Sequence, residues 1–453
     1  MKEKQPYDFN QKLLTLVIPI AFQQFMLALV GASDALMMGI LAQDALSAVS
    51  LAGQITFVEN LFFAAMSIGL SMLAAQYWGR QDRAAVERIF AYVMKITAAV
   101  SFLFFIAGLI TSGALMRIFT NEPALIEGGR IYLRTVSPAF LLTGISQVYL
   151  CILKNTGRAA KSSVISSVSV VVNIILNAVF IFGWFGLPEM GIAGAAIATV
   201  IARAIEVAWC ILETAKKDSI RLKLHYMIHD DKVLRHDFWK YSFPVLGNEI
   251  VWGVGFTMYS VIMGHLGTDA VAANSIANIV KNLVACFCLG LGSGGGIMVG
   301  NELGAGRLDK AKEYGGRLCR MSILCGVASG AVMLALSPLI FAVTDLSVTA
   351  DTYLKWMLVM CSCYMVGKSV NGTTIGGIFC AGGDSRFGFL CDAVTMWCIT
   401  VPLGFLAAFV LQLPVIAVYF IVNLDEIVKL PAVYRHYKKY KWVKNITVDN
   451  EIQ

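Results

Sequence analysis

Stretches of roughly 20 or more apolar residues recur along the whole 453-residue chain, each long enough to cross about 30 Å of hydrocarbon as an α-helix. Runs this long leave no room for alternation, so the backbone must satisfy itself within each segment, as a helix does. The spans read at 13–39, 48–77, 89–119, 131–153, 162–184, 192–215, 238–266, 270–300, 318–343, 353–379, 389–410 and 414–430. Composition excludes a soluble domain: 58% of residues are hydrophobic and 14% charged, with mean hydropathy +0.71, where ordinary soluble domains are about a quarter charged. The expected fold class is all-α integral membrane, with twelve transmembrane helices. The first run is too long for a signal-peptide core, contains Asp34 and lacks a small-residue cleavage site, so it is expected to remain as the first helix.

The net charge of +7 might point to nucleic acid, but its distribution points elsewhere. Lys2, Lys4 and Lys12 precede the first helix and further Lys and Arg crowd alternate loops, while the intervening loops hold only Arg117, Arg130, Arg134 and Lys355. This is the positive-inside pattern, which places both termini in the cytoplasm. The basic tail from Lys429 to Lys444, interleaved with Tyr434, Tyr437, Tyr440 and Trp442, reads as an anchor on the anionic inner leaflet. Eleven cysteines are scattered. Cys286 and Cys288, like Cys361 and Cys363, are two apart and point to different sides of a helix. They read as small apolar packers, with neither disulfides nor a metal expected.

The chain also repeats itself. A shift of 225 residues lays Met38, Gly39, Leu41, Asp44, Ala45, Ala48, Ala52 and Gly69 over Met263, Gly264, Leu266, Asp269, Ala270, Ala273, Ala277 and Gly294. After a two-residue insertion, Gly79-Arg80-x-Asp82 returns as Gly306-Arg307-x-Asp309; further on, Thr156-Gly157 aligns with Gly382-Gly383. A duplicated unit of six helices crosses the membrane an even number of times, so both copies share one orientation and are related by an axis along the membrane normal. The expected organisation is an N-terminal six-helix lobe at 1–215, a cytoplasmic linker at 216–237, a C-terminal six-helix lobe at 238–433 and a basic cytoplasmic tail at 434–453. Two pseudo-symmetric lobes on one connection suit a rocking, alternating-access machine.

Several ordered motifs carry a family likeness. Asp34-x3-Met38-Gly39 leads into Leu46-Ser-Ala-Val-Ser-Leu-Ala52, the Gly-Arg-x-Asp turns occur twice, and Asn173-x3-Asn177 precedes a run from Phe182 to Thr199 rich in Gly and Ala. With these, nearly the whole chain resembles the multidrug and toxic compound extrusion (MATE) family of cation-coupled efflux antiporters. The resemblance implies that Asp34, Asn173, Asn177 and Thr199 surround a coupling-cation site in the first lobe.

The residues support that reading on their own terms. Asp34 sits in an apolar run, where an unpaired carboxylate costs several kcal/mol or takes up a proton, and intramembrane acids are functional by default. Asn173 and Asn177, one helical turn apart, face the same point. Together these residues offer only oxygen ligands, suited to Na⁺ or to a proton on Asp34, with no other metal expected. The competing reading makes the asparagines interhelical glue and Asp34 a bonded core acid. Glu59 is a further buried acid. In the second lobe, Glu249, Lys281, Lys368 and Asp392 are expected to converge as a polar cluster, either a site or neutralised structural pairs, because isolated charges at such depth are prohibitive. Arg203 and Glu206, three apart, read as a local ion pair.

Three patterns invite misreading. Gly290-x-Gly292-x-x-Gly295 matches a dinucleotide fingerprint but lies inside an apolar span, where close helix packing explains it. His225 and His229 have ligand-like spacing in the linker without a third partner. Phe57, Phe62, Phe63, Trp252, Phe256, Tyr259 and Tyr364 are candidates to line a path for flat cations, most of them packing residues.

The function expected is secondary active export of organic, cationic or amphipathic compounds in exchange for H⁺ or Na⁺, by a monomeric, multi-pass protein of the bacterial inner membrane. Its partners would be a small-molecule substrate and membrane lipids, not nucleic acid, with no cofactor beyond the coupling ion. A lipid-linked oligosaccharide flippase of the same superfamily is the alternative, with Lys95, Lys281 and Lys368 as a cationic wall. An intramembrane enzyme is remote, since no nucleophile–base pair is seen at depth.

Overall fold

A computed structural model describes residues 9–216, 219–229, 231–344 and 346–448. Lys2, Lys4, Lys217 and the ends of the tail and N-terminal segment lie outside the described residues. All regular structure described is helical. The first half comprises α1 (Phe9–Leu41), α2 (Gln43–Gly79), α3 (Arg83–Ile110), α4 (Pro123–Asn155), α5 (Ala159–Phe182) and α6 (Gly191–Thr214). The second comprises α7 (Lys232–Gly264), α8 (Thr268–Gly304), α9 (Leu308–Val343), α10 (Val348–Asn371, continuing as a π-helix over Gly372–Phe379), α11 (Ser385–Val410) and α12 (Val415–Val422). Ten of them, all but α10 and α12, are long and apolar enough to cross a membrane by length and composition alone. Side chains such as Leu103 and Leu324, 66% and 69% exposed, present the apolar outer surface that lipid requires.

Local sequence sets the boundaries. The Asp82 carboxylate accepts from Ala85 N–H at 2.9 Å and caps α3. Pro123 opens α4, where its missing N–H costs nothing. The third span breaks at Thr111, after which a short helix, Ser112–Phe119, continues. The twelfth departs further from expectation. Instead of running through 414–430 it stops at Val422, and short helices Asp425–Val428 and Leu430–Tyr437 follow. Asp425, Glu426 and Lys429 lie in that stretch and are all buried in protein, a requirement that an uninterrupted lipid-facing helix could not meet.

The chain divides into two compact units. The first contains Met26–Ala74 and Asp82–Asp237; the second contains the described residues up to Phe25, Ala75–Gln81 and the chain from Phe238 on. In the first unit, Ala52, Met116, Leu133, Val136, Phe140 and Ala196 form one apolar cluster. The linker is pinned there by Arg88–Asp231 at 3.2 Å and Lys223–Glu87 at 2.5 Å, and the hydrogen bond to Glu87 holds the Lys223 ammonium above its ordinary pKa. Arg158, Lys161 and Lys216 converge on Glu213.

In the second unit, the ends of α2 and α8 cross main chain to main chain. A Cβ on Gly79 would stand 2.1 Å from Asn301 O, and one on Gly304 would stand 1.9 Å from Gln76 O. Under the 225-residue shift Gln76 falls on Asn301 and Gly79 on Gly304, so the two contacts are the same contact made twice, reciprocally. The same register continues past the helix ends. Gln81 and Gly306 both take positive φ, at 65° and 74°, and α3 and α9 begin at Arg83 and Leu308. The two-residue insertion expected from the paired Gly-Arg-x-Asp motifs is therefore absent, and Arg80 is equivalent to Ala305 rather than to Arg307. Backbone geometry at the turn fixes the register, and the motif match is a coincidence of composition.

The glycines of α8 confirm the packing explanation of their fingerprint: Gly290 lies against Ala21 of α1, and Gly292 against Gly372 of α10. The basic tail is also corrected. Lys429 is buried, Trp442 is fully enclosed, and residues 442–447 are hydrogen-bonded to the rest of the second unit, while Tyr434 and Tyr440 stay exposed.

Candidate functional site

In the first unit, α1, α5 and α6 bring the four expected residues into a single hydrogen-bonded chain. Asn177 Nδ2 donates to Asp34 Oδ1 at 2.5 Å and to Asn173 Oδ1 at 3.3 Å; Asn173 Nδ2 donates to Thr199 Oγ1 at 3.3 Å, and that hydroxyl donates to Ala195 O at 3.0 Å. The i, i+4 spacing on α5 stacks the two amides. Both asparagines are buried, while Asp34 and Thr199 are partly accessible. Asn177 Oδ1 is buried and accepts no hydrogen bond. An orphaned acceptor of this kind costs free energy unless something binds it.

Glu59, on α2, is buried with Oε1 unpartnered. Arg203 forms the expected local pair, both Nη1 contacts to Glu206 lying at 3.0 and 3.2 Å.

The second unit holds a larger polar cluster than expected. Lys429 Nζ lies 2.8 Å from Asp392, 3.2 Å from Glu426 and 3.9 Å from Asp425, with its side chain 3% exposed. Lys368 approaches Glu426 at 3.6 Å, and Asn371 Nδ2 donates to both the carbonyl and the carboxylate of Glu426 at 2.7 Å. Asn371 and Asp392 each stand at the entry to a π-helical stretch, a backbone irregularity common at polar sites within helices. Lys281 lies over the Tyr364 ring at 5.2 Å and Lys368 over Trp252 at 5.4 Å, with Trp252 stacked on Phe256 at 5.6 Å. Of the four residues expected to converge, Lys368 and Asp392 thus enter one ion-pair network. They do so through Glu426 and Lys429, while Glu249 interacts electrostatically with Lys368 and Asp392, and Lys281, which lies over the Tyr364 ring, with Lys368, Asp425 and Glu426.

His225 and His229 have ring centroids 4.5 Å apart on the linker. Among the described residues no group of three or more His, Cys, Asp or Glu could hold a metal.

The repeat finds an explanation in known proteins. A profile described as MatE matches residues 19–179 and again 244–406. The chain is a MATE-family transporter. Among its MATE relatives, the uncharacterized transporter YisQ of Bacillus subtilis is 22% identical over 445 residues, 97% of each chain. The probable multidrug resistance protein NorM of Thermotoga maritima is 22% identical over 461 residues, 99% of this chain and 96% of NorM. The same fold is seen in a MOP superfamily transporter from Pyrococcus furiosus, whose reversed binding-pocket polarity was taken to suggest a different function: TM-score 0.87, 16% identity, 97% of this chain and 99% of that one.

In this MATE chain, sequence reasoning overlooked Asp425, Glu426 and Lys429. The signal was present: an acid three and four residues before a lysine at the end of an apolar run places opposite charges on one helix face. Counting Lys429 with the basic tail concealed it.

Proposed function

We propose that this transporter exports organic cationic or amphipathic compounds in exchange for H⁺ or Na⁺, with Asp34, Asn177, Asn173 and Thr199 as the coupling site. The observation that supports this best is the bond from Asn177 to Asp34 beside the orphaned Asn177 Oδ1. The charge distribution among loops supports both termini in the cytoplasm, and the bacterial relatives support a bacterial plasma-membrane protein.

Ionised, Asp34 accepts a charge-assisted bond from Asn177, which is stronger than a neutral one. A proton on Asp34, or Na⁺ between Asp34 and the free Asn177 oxygen, neutralises the acceptor and alters the pull on α1. That helix carries Pro19, which lacks an N–H and leaves a weak point in the ladder. It also contributes residues to both compact units. A change at Asp34 is thereby linked to a helix able to bias two states, and ion binding lowers affinity for cargo in the cleft. Alternating access then carries cargo out and ion in.

The energetics limit the stoichiometry. One charge crossing 100 mV supplies about 2.3 kcal/mol, against about 1.4 kcal/mol for a tenfold gradient. One-for-one exchange of a monovalent cation for H⁺ moves no net charge, leaving only the ion's own concentration gradient to drive export.

The test is efflux of a fluorescent cationic dye from vesicles under imposed Na⁺ or pH gradients, native chain against Asp34→Asn. Gradient-driven efflux by the native chain, lost in the variant, is expected. Equal pumping by the variant rejects the site, and equal pumping without a gradient rejects antiport.

A further inference from the structure

Residues 442–447 lie across two helix ends that come from different repeats. Gln76, fully buried near the end of α2, holds this segment with both amide atoms: Nε2 donates to Lys444 O at 3.1 Å and Oε1 accepts from Ile446 N–H at 2.8 Å. The same Nε2 donates to Ala381 O at 2.7 Å, in the turn before α11. Four residues on, Arg80 Nη1 donates to Thr447 O at 2.6 Å. From the second repeat, the Gly304 carbonyl at the end of α8 accepts from Asn445 Nδ2 at 3.3 Å. Trp442 is fully enclosed, stacked on Tyr437 at 5.6 Å, and Gly382 lies so close that a Cβ there would stand 1.7 Å from Trp442 O.

This segment covers the reciprocal crossing of α2 and α8. The crossing is bare main chain, so it buries little side-chain surface, and the tail supplies the polar contacts to its two ends. The duplication does not provide them symmetrically: Arg80 is equivalent to Ala305, so only the α2 end carries a guanidinium for the tail.

We propose that residues 442–447 form a latch that holds the ends of α2 and α8 crossed, and that these ends part only when it undocks. On the alternating-access reading, on which this inference rests, the latch closes the positively charged, cytoplasmic side. Its polar contacts are main-chain and amide hydrogen bonds with one cation, so undocking strands no buried charge, and its cost is set by withdrawing the enclosed Trp442.

The test is amide hydrogen exchange of the full chain in lipid nanodiscs, which needs no transported substrate. Deleting residues 442–453 is expected to speed exchange at the amides of Arg80, Ala305 and Gly306 by about tenfold or more, as local opening becomes easier, with α4 and α5 unchanged. Should the deleted chain fail to fold, full-length Arg80→Ala is expected to speed exchange at Ile446 and at the same helix ends together. Helix-end exchange within about twofold of the native chain in a folded variant, or a native tail that exchanges freely while the helix ends stay protected, overturns the latch. Failure of dye efflux leaves this readout untouched, so the two proposals fail separately.

Discussion

Tyr259 stands one repeat after Asp34, at the position the 225-residue shift assigns, and its hydroxyl lies 2.5 Å from Thr400 Oγ1. The duplication has thus replaced a carboxylate in a chain of amides by a neutral pair of hydroxyls. The second unit keeps its charges elsewhere, around Lys429. The two halves share a fold and differ in their polar residues.

Replacing Tyr259 by Phe should therefore leave ion-driven efflux intact while costing about 1 kcal/mol of stability, the usual net worth of one hydrogen bond. Thermal unfolding and dye efflux on the same preparation check both halves of this expectation. Loss of ion dependence in this variant would mean that the second repeat shares in coupling.

Within the first-unit site, the effect of truncation should fall with distance from Asp34. Asn177→Ala removes the donor to Asp34 itself, a bond to a charged group of roughly 1.5–3 kcal/mol. Because that bond favours the ion-free carboxylate, its loss should lower the proton concentration for half-maximal efflux by roughly tenfold to a hundredfold. Thr199→Val cuts only the far end of the chain and should change that concentration by no more than a few-fold. A reversed order would place the ion nearer Thr199.

Lys429 is the common partner of Asp392, Asp425 and Glu426. Lys429→Met leaves three buried carboxylates around an uncharged chain, and breaking a buried ionic network on one side costs roughly 3–5 kcal/mol. A steep drop in Tm or in yield of folded protein is expected, with partial recovery in the double variant Lys429→Met, Asp392→Asn. A neutral outcome for the single variant would show that the network is solvated in the membrane.

At the α2–α8 crossing, Gly79→Ala forces a methyl group to within 2.1 Å of Asn301 O and must push the helices apart. Gly53→Ala, on the same helix, meets nothing within 4 Å and should stabilise by up to about 1 kcal/mol through its better helix propensity. Thermal stability of the two variants, measured side by side, distinguishes close packing from a general intolerance of substitution.

Much of this was legible in the sequence. Spans of uniform hydrophobicity located the helices because lipid imposes one length and one solution for the backbone. Asn173 and Asn177 could be paired because helix geometry places i and i+4 on one face, and the family resemblance implied that they surround one site with Asp34. What was not legible depended on contacts between distant segments. The burial of Trp442 and Lys429 depends on Gly382, Asp392 and Glu426, and no local pattern marks a basic, aromatic tail as an interior element. The break after Val422 was hidden for a related reason: hydropathy averages over a window, whereas three charges enclosed by protein reshape the backbone one residue at a time. The false insertion at the Gly-Arg turns shows the opposite hazard, since identical letters two positions out of step outweighed the left-handed residue that the turn requires.

The reciprocal meeting of Gly79 with Asn301 and Gly304 with Gln76 has a historical implication. At an ordinary interface a larger residue on one side can be accommodated by a smaller one opposite, so paired changes let the two surfaces wander. Here the opposing atoms are peptide carbonyls, which no codon can shrink. Both glycines are thereby committed, and the seam inherited from the ancestral gene fusion can drift around its edges but not at its centre.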